Sequence, residues 1–218
     1  MAFRSSTKNA QVSNAANDPG KPVGTLDTDV LIALVSEAAD AFGADQLTGF
    51  SAPSGWTLID QGHFNEGGAG TETLYAAYWA IGSVTSTSFT PNTAAITSVV
   101  SIHAYNGIVA ATPVDQHSNN GNSGATITAL GVTTTIKDGM LVVGMCCDAA
   151  QTIAAPSAMT LRTQQVASVQ GHMTADLQLG AIGATGDKTA TILSDCWSSV
   201  LVALVPELVL PYYEHGIV

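Results

Sequence analysis

Short apolar runs alternate along this chain with clusters of Gly, Pro, Asn and Asp, a pattern that predicts strands of about five to ten residues almost throughout. The most helix-like stretch is LIALVSEAADAF, residues 31–42. Its first part, Val30 to Val35, is an unbroken aliphatic and β-branched run, which suits a buried strand better than a helix. Two polar stretches, QGHFNEGGAGTE (61–72) and DQHSNNGNSGA (115–125), read as long loops.

The pattern repeats. APSGWTL (52–58) and APSAMTL (155–161) are identical at five of seven positions, 103 residues apart. The flanks follow in the same order: DVLIALV (29–35) with GMLVVGM (139–145), IGSVTSTSFT (81–90) with IGATGDKTATI (182–192), and SVVSIHAY (98–105) with SSVLVALV (198–205). Each half predicts four strands, and a four-strand half cannot bury its apolar face alone. Two halves stacked face to face give an all-β, eight-stranded antiparallel β-sandwich with jelly-roll-like connections. The halves fall at about 27–106 and 132–206, joined by a connector at 107–131. They are flanked by an extended N-terminal arm (1–26) and an apolar C-terminal segment (207–218). Pro53 and Pro156 suit strand entries, where no ladder donor is needed. Trp56 and Met159 take equivalent places and are expected to plug the end of the sandwich.

Charge narrows the functional classes. Only 11% of the 218 residues are charged, against roughly 25% in an average domain, and the net charge is −11. Arg4, Lys8 and Lys21 lie in the first 21 residues; the rest of the chain carries Lys137, Arg162 and Lys188 against sixteen acidic side chains. An acidic body disfavours nucleic acid and anionic membrane as partners. No apolar leader core opens the sequence and no window approaches the roughly 20 apolar residues of a membrane span, so synthesis in a host cytoplasm is expected.

The residues that could carry chemistry are scattered. Cys146 and Cys147 point to opposite faces of a strand and Cys196 stands apart, which predicts buried, reduced thiols. None of His63, His103, His117, His172 and His215 sits at metal-ligand spacing, and Asp115, Asn119, Asn120 and Asn122 match no calcium loop, so neither metal nor cofactor is expected. His103 and His172 are expected to be structural. Glu66 with Glu72, or Asp60 with either, is the nearest approach to a glycosidase pair. Tyr75 and Trp79 share one strand face and Tyr78 takes the other; one face must be core, and a buried aromatic pair is the expected reading, with an exposed face stacking on a sugar the alternative. The loops offer His63, Asn65, Glu66, His117, Asn119 and Asn120 as ligand contacts. The ends offer Phe3, Arg4 and Lys8, and Leu208, Leu210, Tyr212, Tyr213 and Ile217, for docking on other subunits.

DVLIALV (29–35), APSGWTLI (52–59), LYAAYWA (74–80), AYNGIVAATPVD (104–115), TTTIKDGMLVV (133–143) and GATGDKTATI (183–192) together resemble a β-sandwich domain of bacteriophage virion proteins, over about residues 27–206. The resemblance implies a structural role: a capsid decoration, minor tail or fibre protein located in the virion. It implies a homo-oligomer bound to major capsid or tail proteins, with a trimer suiting capsid three-folds and fibres alike. A receptor- or glycan-binding adhesin module of a phage tail is the alternative reading and a glycan hydrolase the third. No enzymatic activity is expected on the first reading.

Overall fold

The computed structural model describes residues 1–12, 15–39, 47, 49–66, 72–92 and 97–207, and among these there is no helix. The strands are β1 (Ala2–Val12), β2 (Val30–Ala39), β3 (Phe50–Ser51), β4 (Thr57–Asn65), β5 (Glu72–Ile81), β6 (Thr90–Pro91), β7 (Thr97–Asn106), β8 (Val114–Ala129), β9 (Thr133–Thr134), β10 (Met140–Cys147), β11 (Thr160–Ala167), β12 (Gln170–Gln178), β13 (Gly183–Ala184) and β14 (Lys188–Leu204). Two antiparallel five-stranded sheets form the sandwich, ordered β1-β7-β2-β5-β4 and β8-β14-β10-β12-β11. Read in this direction the two orders are the same topology, with β1 matching β8, β2 β10, β4 β11, β5 β12 and β7 β14.

The duplicated unit therefore has five strands, not four. Ala2–Val12, expected as a free arm, pairs along β7 from Ala2↔Asn106 to Val12↔Thr97. The expected connector contains β8, which pairs along β14 from Val114↔Leu204 to Ala129↔Lys188. Both are edge strands. One partner supplies their ladder bonds and their side chains stay largely in water, so β-branched residues are not required of them.

The central strands are buried on both faces. Along β2, Val30, Ile32 and Leu34 point between the sheets, meeting Tyr75, Val142, Val200 and Val202. Leu31, Ala33 and Val35 point outward under a cover of Phe50, Trp56, Val84 and Phe89. The second sheet repeats this: Leu141, Val143 and Met145 face outward under Ile153, Ile192 and Met159. Three stacked apolar layers explain the unbroken hydrophobic runs. They also place Trp56 and Met159 over the outer faces of their own sheets rather than at an end of the sandwich. Trp56 lies edge-on to Phe89 at 5.2 Å and its indole N–H donates to the Ser86 carbonyl at 2.9 Å.

The repeated Pro motif is a repeated turn. The Trp56 amide donates to the Pro53 carbonyl at 3.3 Å and the Met159 amide to Pro156 at 3.1 Å. Each turn needs a left-handed residue one position earlier: Gly55 at φ 90° and Ala158 at φ 66°. Between the sheets, Gly144 lies under the Tyr75 ring; a Cβ there would stand 2.2 Å from Tyr75 Cε1.

Candidate functional site

The polar side chains singled out by sequence gather along the two seams where the sheets' edges meet, β1 against β11 and β8 against β4. At the first seam, the Arg162 guanidinium of β11 lies 4.0 Å from the centre of the Phe3 ring and donates to the Asp176 carboxylate at 2.8 Å. The Tyr105 hydroxyl donates to the same carboxylate at 3.1 Å, and Phe3 packs edge-on to Tyr105 at 5.8 Å. The Lys8 ammonium donates to the Gln164 carbonyl of β11. Arg4 makes a two-pronged bond to Asp29 at 2.7 and 3.0 Å, and that buried carboxylate also accepts the Leu26 amide. Phe3, Arg4 and Lys8, which the sequence offered for docking on other subunits, make these contacts within their own chain. The strand pairing of β1 fixes them in place.

At the second seam, Asp60 of β4 accepts from the Asn119 amide at 2.8 Å and lies 2.7 Å from His117 Nδ1, both on β8. Asn120 turns back on its own ribbon, donating to the Thr128 carbonyl at 2.9 Å. Glycines allow the backbones to approach here. A Cβ on Gly62 would sit 2.9 Å from the Ser199 carbonyl oxygen, and one on Gly121 2.6 Å from that of His63. His63 and Asn65 lie on β4 beside Glu72. The Glu72 carboxylate is buried, accepts from Asn65 and from the Leu47 amide at 3.0 Å, and has His63 Nε2 at 3.9 Å. Glu66 is exposed just past β4. The carboxylates proposed for glycoside cleavage therefore differ: Glu72 and Asp60 are bonded into the framework and Glu66 faces water. Leu208, Leu210, Tyr212, Tyr213, Ile217 and His215 lie outside the described residues, as does the whole of 67–71 between Glu66 and Glu72.

One cluster was not foreseen. Between the sheets, His172 of β12 has Ser36 Oγ 2.7 Å from Nδ1 and Ser101 Oγ 3.0 Å from Nε2, and it stacks on Tyr75 at 5.3 Å between ring centres. His103 reaches Ser101 at 3.4 Å. Burial pushes both histidines down to about 3, helped for His103 by Arg162 and for His172 by His103 and Lys8. A serine beside a neutral imidazole is the chemistry of a nucleophile pair. Both groups are fully buried, so here it ties the two sheets together. Sequence marked both histidines as structural, which their burial bears out. The three cysteines are buried, with Cys146 in the inter-sheet layer and Cys147 on the outer face, and burial raises the Cys146 thiol to about 12 and the Cys147 thiol to about 11.

Of the three β5 aromatics, Trp79 is the one that is partly exposed. It borders a cleft of about 300 Å³ with Leu58, Ile59, Val114, Asp115 and His117, at the mouth of the second seam. Tyr75 and Tyr78 are buried in the inter-sheet and outer layers, so neither face of β5 is open along its length. Among the described residues no group of three or more His, Cys, Asp or Glu could hold a metal ion, and no helix is long and apolar enough to cross a membrane.

No family model matches this chain, and no curated protein matches it. Among solved structures, it aligns with the chain described as "Crystal Structure of the STIV MCP" at a TM-score of 0.21 and 10% identity, over 98% of this chain and 100% of that one. A superposition that loose does not establish a shared fold.

Proposed function

We propose that this chain is a structural subunit of a bacteriophage particle, working by surface contact as a capsid decoration or a tail or fibre component, and that it has no enzymatic activity. The observation that carries the reading is the body's surface. A framework clasped along both seams leaves large apolar side chains in water, Val23 91% exposed and Leu193 76%, on a chain with few charges to desolvate. Such a surface loses little on being covered by neighbours. The motif resemblance to phage virion domains supports the same reading and suggests self-association, a trimer suiting either site. Mass spectrometry of gradient-purified particles is the test. The chain should be present at fixed stoichiometry, with hundreds of copies marking a capsid or tube and about a dozen or fewer a vertex or fibre. Absence from washed particles would refute the assignment.

A second reading, recognition of a glycan, is favoured by the Trp79 cleft. A cleft lined by an indole, a carboxylate and an imidazole is suited to a sugar ring, whose C–H face stacks on aromatics and whose hydroxyls bond. On a glycan array, wild-type protein should bind and Trp79→Ala should not. Wild-type signal at background would remove this reading.

A further inference from the structure

Each seam opens into a cleft at the same place in the repeat. Thr57 and Thr160 hold equivalent positions, 103 residues apart, and their ladder partners are Trp79 and Asp176. Trp79 borders the cleft of the second seam. Asp176 borders a cleft of about 460 Å³ at the first, together with Phe3, Met140, Thr160, Arg162 and Leu177. A cleft kept at both positions belongs to the architecture of the sandwich. Its chemistry differs between the halves: the second seam presents an indole, the first a guanidinium.

That guanidinium is held without being used up. Arg162 Nε donates to Asp176 at 2.8 Å, and among the described residues neither Nη1 nor Nη2 has a hydrogen-bond partner. Arg4 differs, because it spends Nε and Nη2 together on the two oxygens of Asp29. The Asp176 carboxylate, 2% exposed, fixes Arg162 from one side, and the Phe3 ring lies 4.0 Å from its central carbon. With Nε tied, the edge carrying Nη1 and Nη2 stays available, and the Arg162 side chain is 24% exposed. Two parallel N–H donors on a planar cation match the two oxygens of a carboxylate.

We propose that this cleft binds a small carboxylate with an apolar body. The carboxylate sits on Nη1 and Nη2 of Arg162, the hydrocarbon part lies against Phe3, Met140 and Leu177, and the exposed Thr160 hydroxyl is a third donor. One guanidinium fork satisfies two oxygens, which is all that a carboxylate has, and the apolar walls call for a hydrocarbon beside it, which inorganic phosphate lacks. The site is separate from the Trp79 cleft and independent of the particle assignment.

Titration of the full chain with sodium benzoate, followed through the Arg162 Nε–H and Phe3 ring signals in NMR spectra, tests this. Both signals should shift and saturate with an affinity of about millimolar, the range of one charge-assisted fork at a partly exposed site. Benzamide, which keeps the ring and loses the charge, should bind about tenfold more weakly, and inorganic phosphate no better than benzamide. Arg162→Lys keeps a cation beside Asp176 and loses the fork; it should weaken benzoate about tenfold while the rest of the amide spectrum holds. Thr160→Val leaves the ion pair untouched and should weaken benzoate about threefold. Absence of any shift at about 50 mM benzoate would overturn the proposal. So would benzamide or phosphate binding as tightly as benzoate, or undiminished benzoate binding in both variants.

Discussion

Glu37 sits on β2 with none of its side chain exposed, between Leu74 and Ser98 in the ladder, and both carboxylate oxygens lack a hydrogen-bond partner. Burial raises its pKa from 4.5 to about 8. The unfolded chain therefore releases this proton near pH 4.5, whereas the folded chain holds it until about pH 8. Between those values the unfolded state binds fewer protons, and stability falls as pH rises, by about 1.4 kcal/mol per pH unit and about 5 kcal/mol over the whole window. The two buried histidines act on the other flank. Both are held neutral in the fold down to about pH 3, so the unfolded chain gains protons first as pH falls below 6.5, and stability is lost in that direction. With two groups against one, the acid flank is the steeper. Stability should peak near pH 6.5 and decline by about 1 kcal/mol by pH 8, because the last of the histidine titration offsets part of the Glu37 loss.

Glu37→Gln removes the alkaline decline alone, since a buried amide keeps the shape and cannot ionise. Urea unfolding of both proteins at half-unit steps from pH 5 to 8 isolates the effect, because every other titrating group cancels in the difference. Relative to the variant, the wild type should lose about 4 kcal/mol across that range, a midpoint shift on the order of 2 M at an m-value near 2 kcal/mol/M. A difference that stays constant with pH, within about 0.5 kcal/mol, would show that Glu37 is not held protonated by the fold.

Other consequences follow from single contacts. Gly144→Ala drives a methyl into the Tyr75 ring between the sheets and should cost about 1–3 kcal/mol in chemical unfolding. Ala158→Gly relieves a left-handed alanine and should raise stability by up to about 1 kcal/mol, whereas Gly55→Ala, its equivalent in the first half, should lower it. Arg4→Ala leaves Asp29 buried with its amide partner only, and should cost about 2–3 kcal/mol and speed hydrogen exchange at the Ala2–Asn106 end of β1. Asp60→Ala opens the second seam at an accessible site; about 1 kcal/mol of lost stability is expected, with faster exchange in β8.

What the sequence made legible was whatever local chemistry encodes. The Pro motif at 53–56 and 156–159 was readable as a repeat, though as a strand entry and not as a turn, because Pro, a left-handed third residue and a bulky fourth form one local unit that survives in both halves even with Ala158 in the place of Gly55. The runs in β2 and β10 were readable because a strand covered on both faces has no polar phase. The clefts and the histidine cluster were not readable: Ser36, Tyr75 and Ser101 meet His172 across 136, 97 and 71 residues, and no spacing within a strand announces that.

The missed strands carry the stronger lesson. β1 (AFRSSTKNAQV) and β8 (VDQHSNNGNSGATITA) are polar, the second rich in Ser, Asn and Gly, and looked like an arm and a connector. Each occupies the same edge of its own sheet and lies over the outermost hairpin strand of the other, β1 on β11 and β8 on β4. The two halves therefore exchange edge contacts reciprocally, yet with different chemistry: a cation over an aromatic ring and a lysine–carbonyl bond at one seam, a carboxylate gripped by histidine and asparagine at the other. A duplication explains the shared topology. The divergence between seams explains why the fifth strand left no trace in the repeat: its pairing is carried by backbone bonds, and its side chains have been free to specialise for whichever neighbour each seam presents.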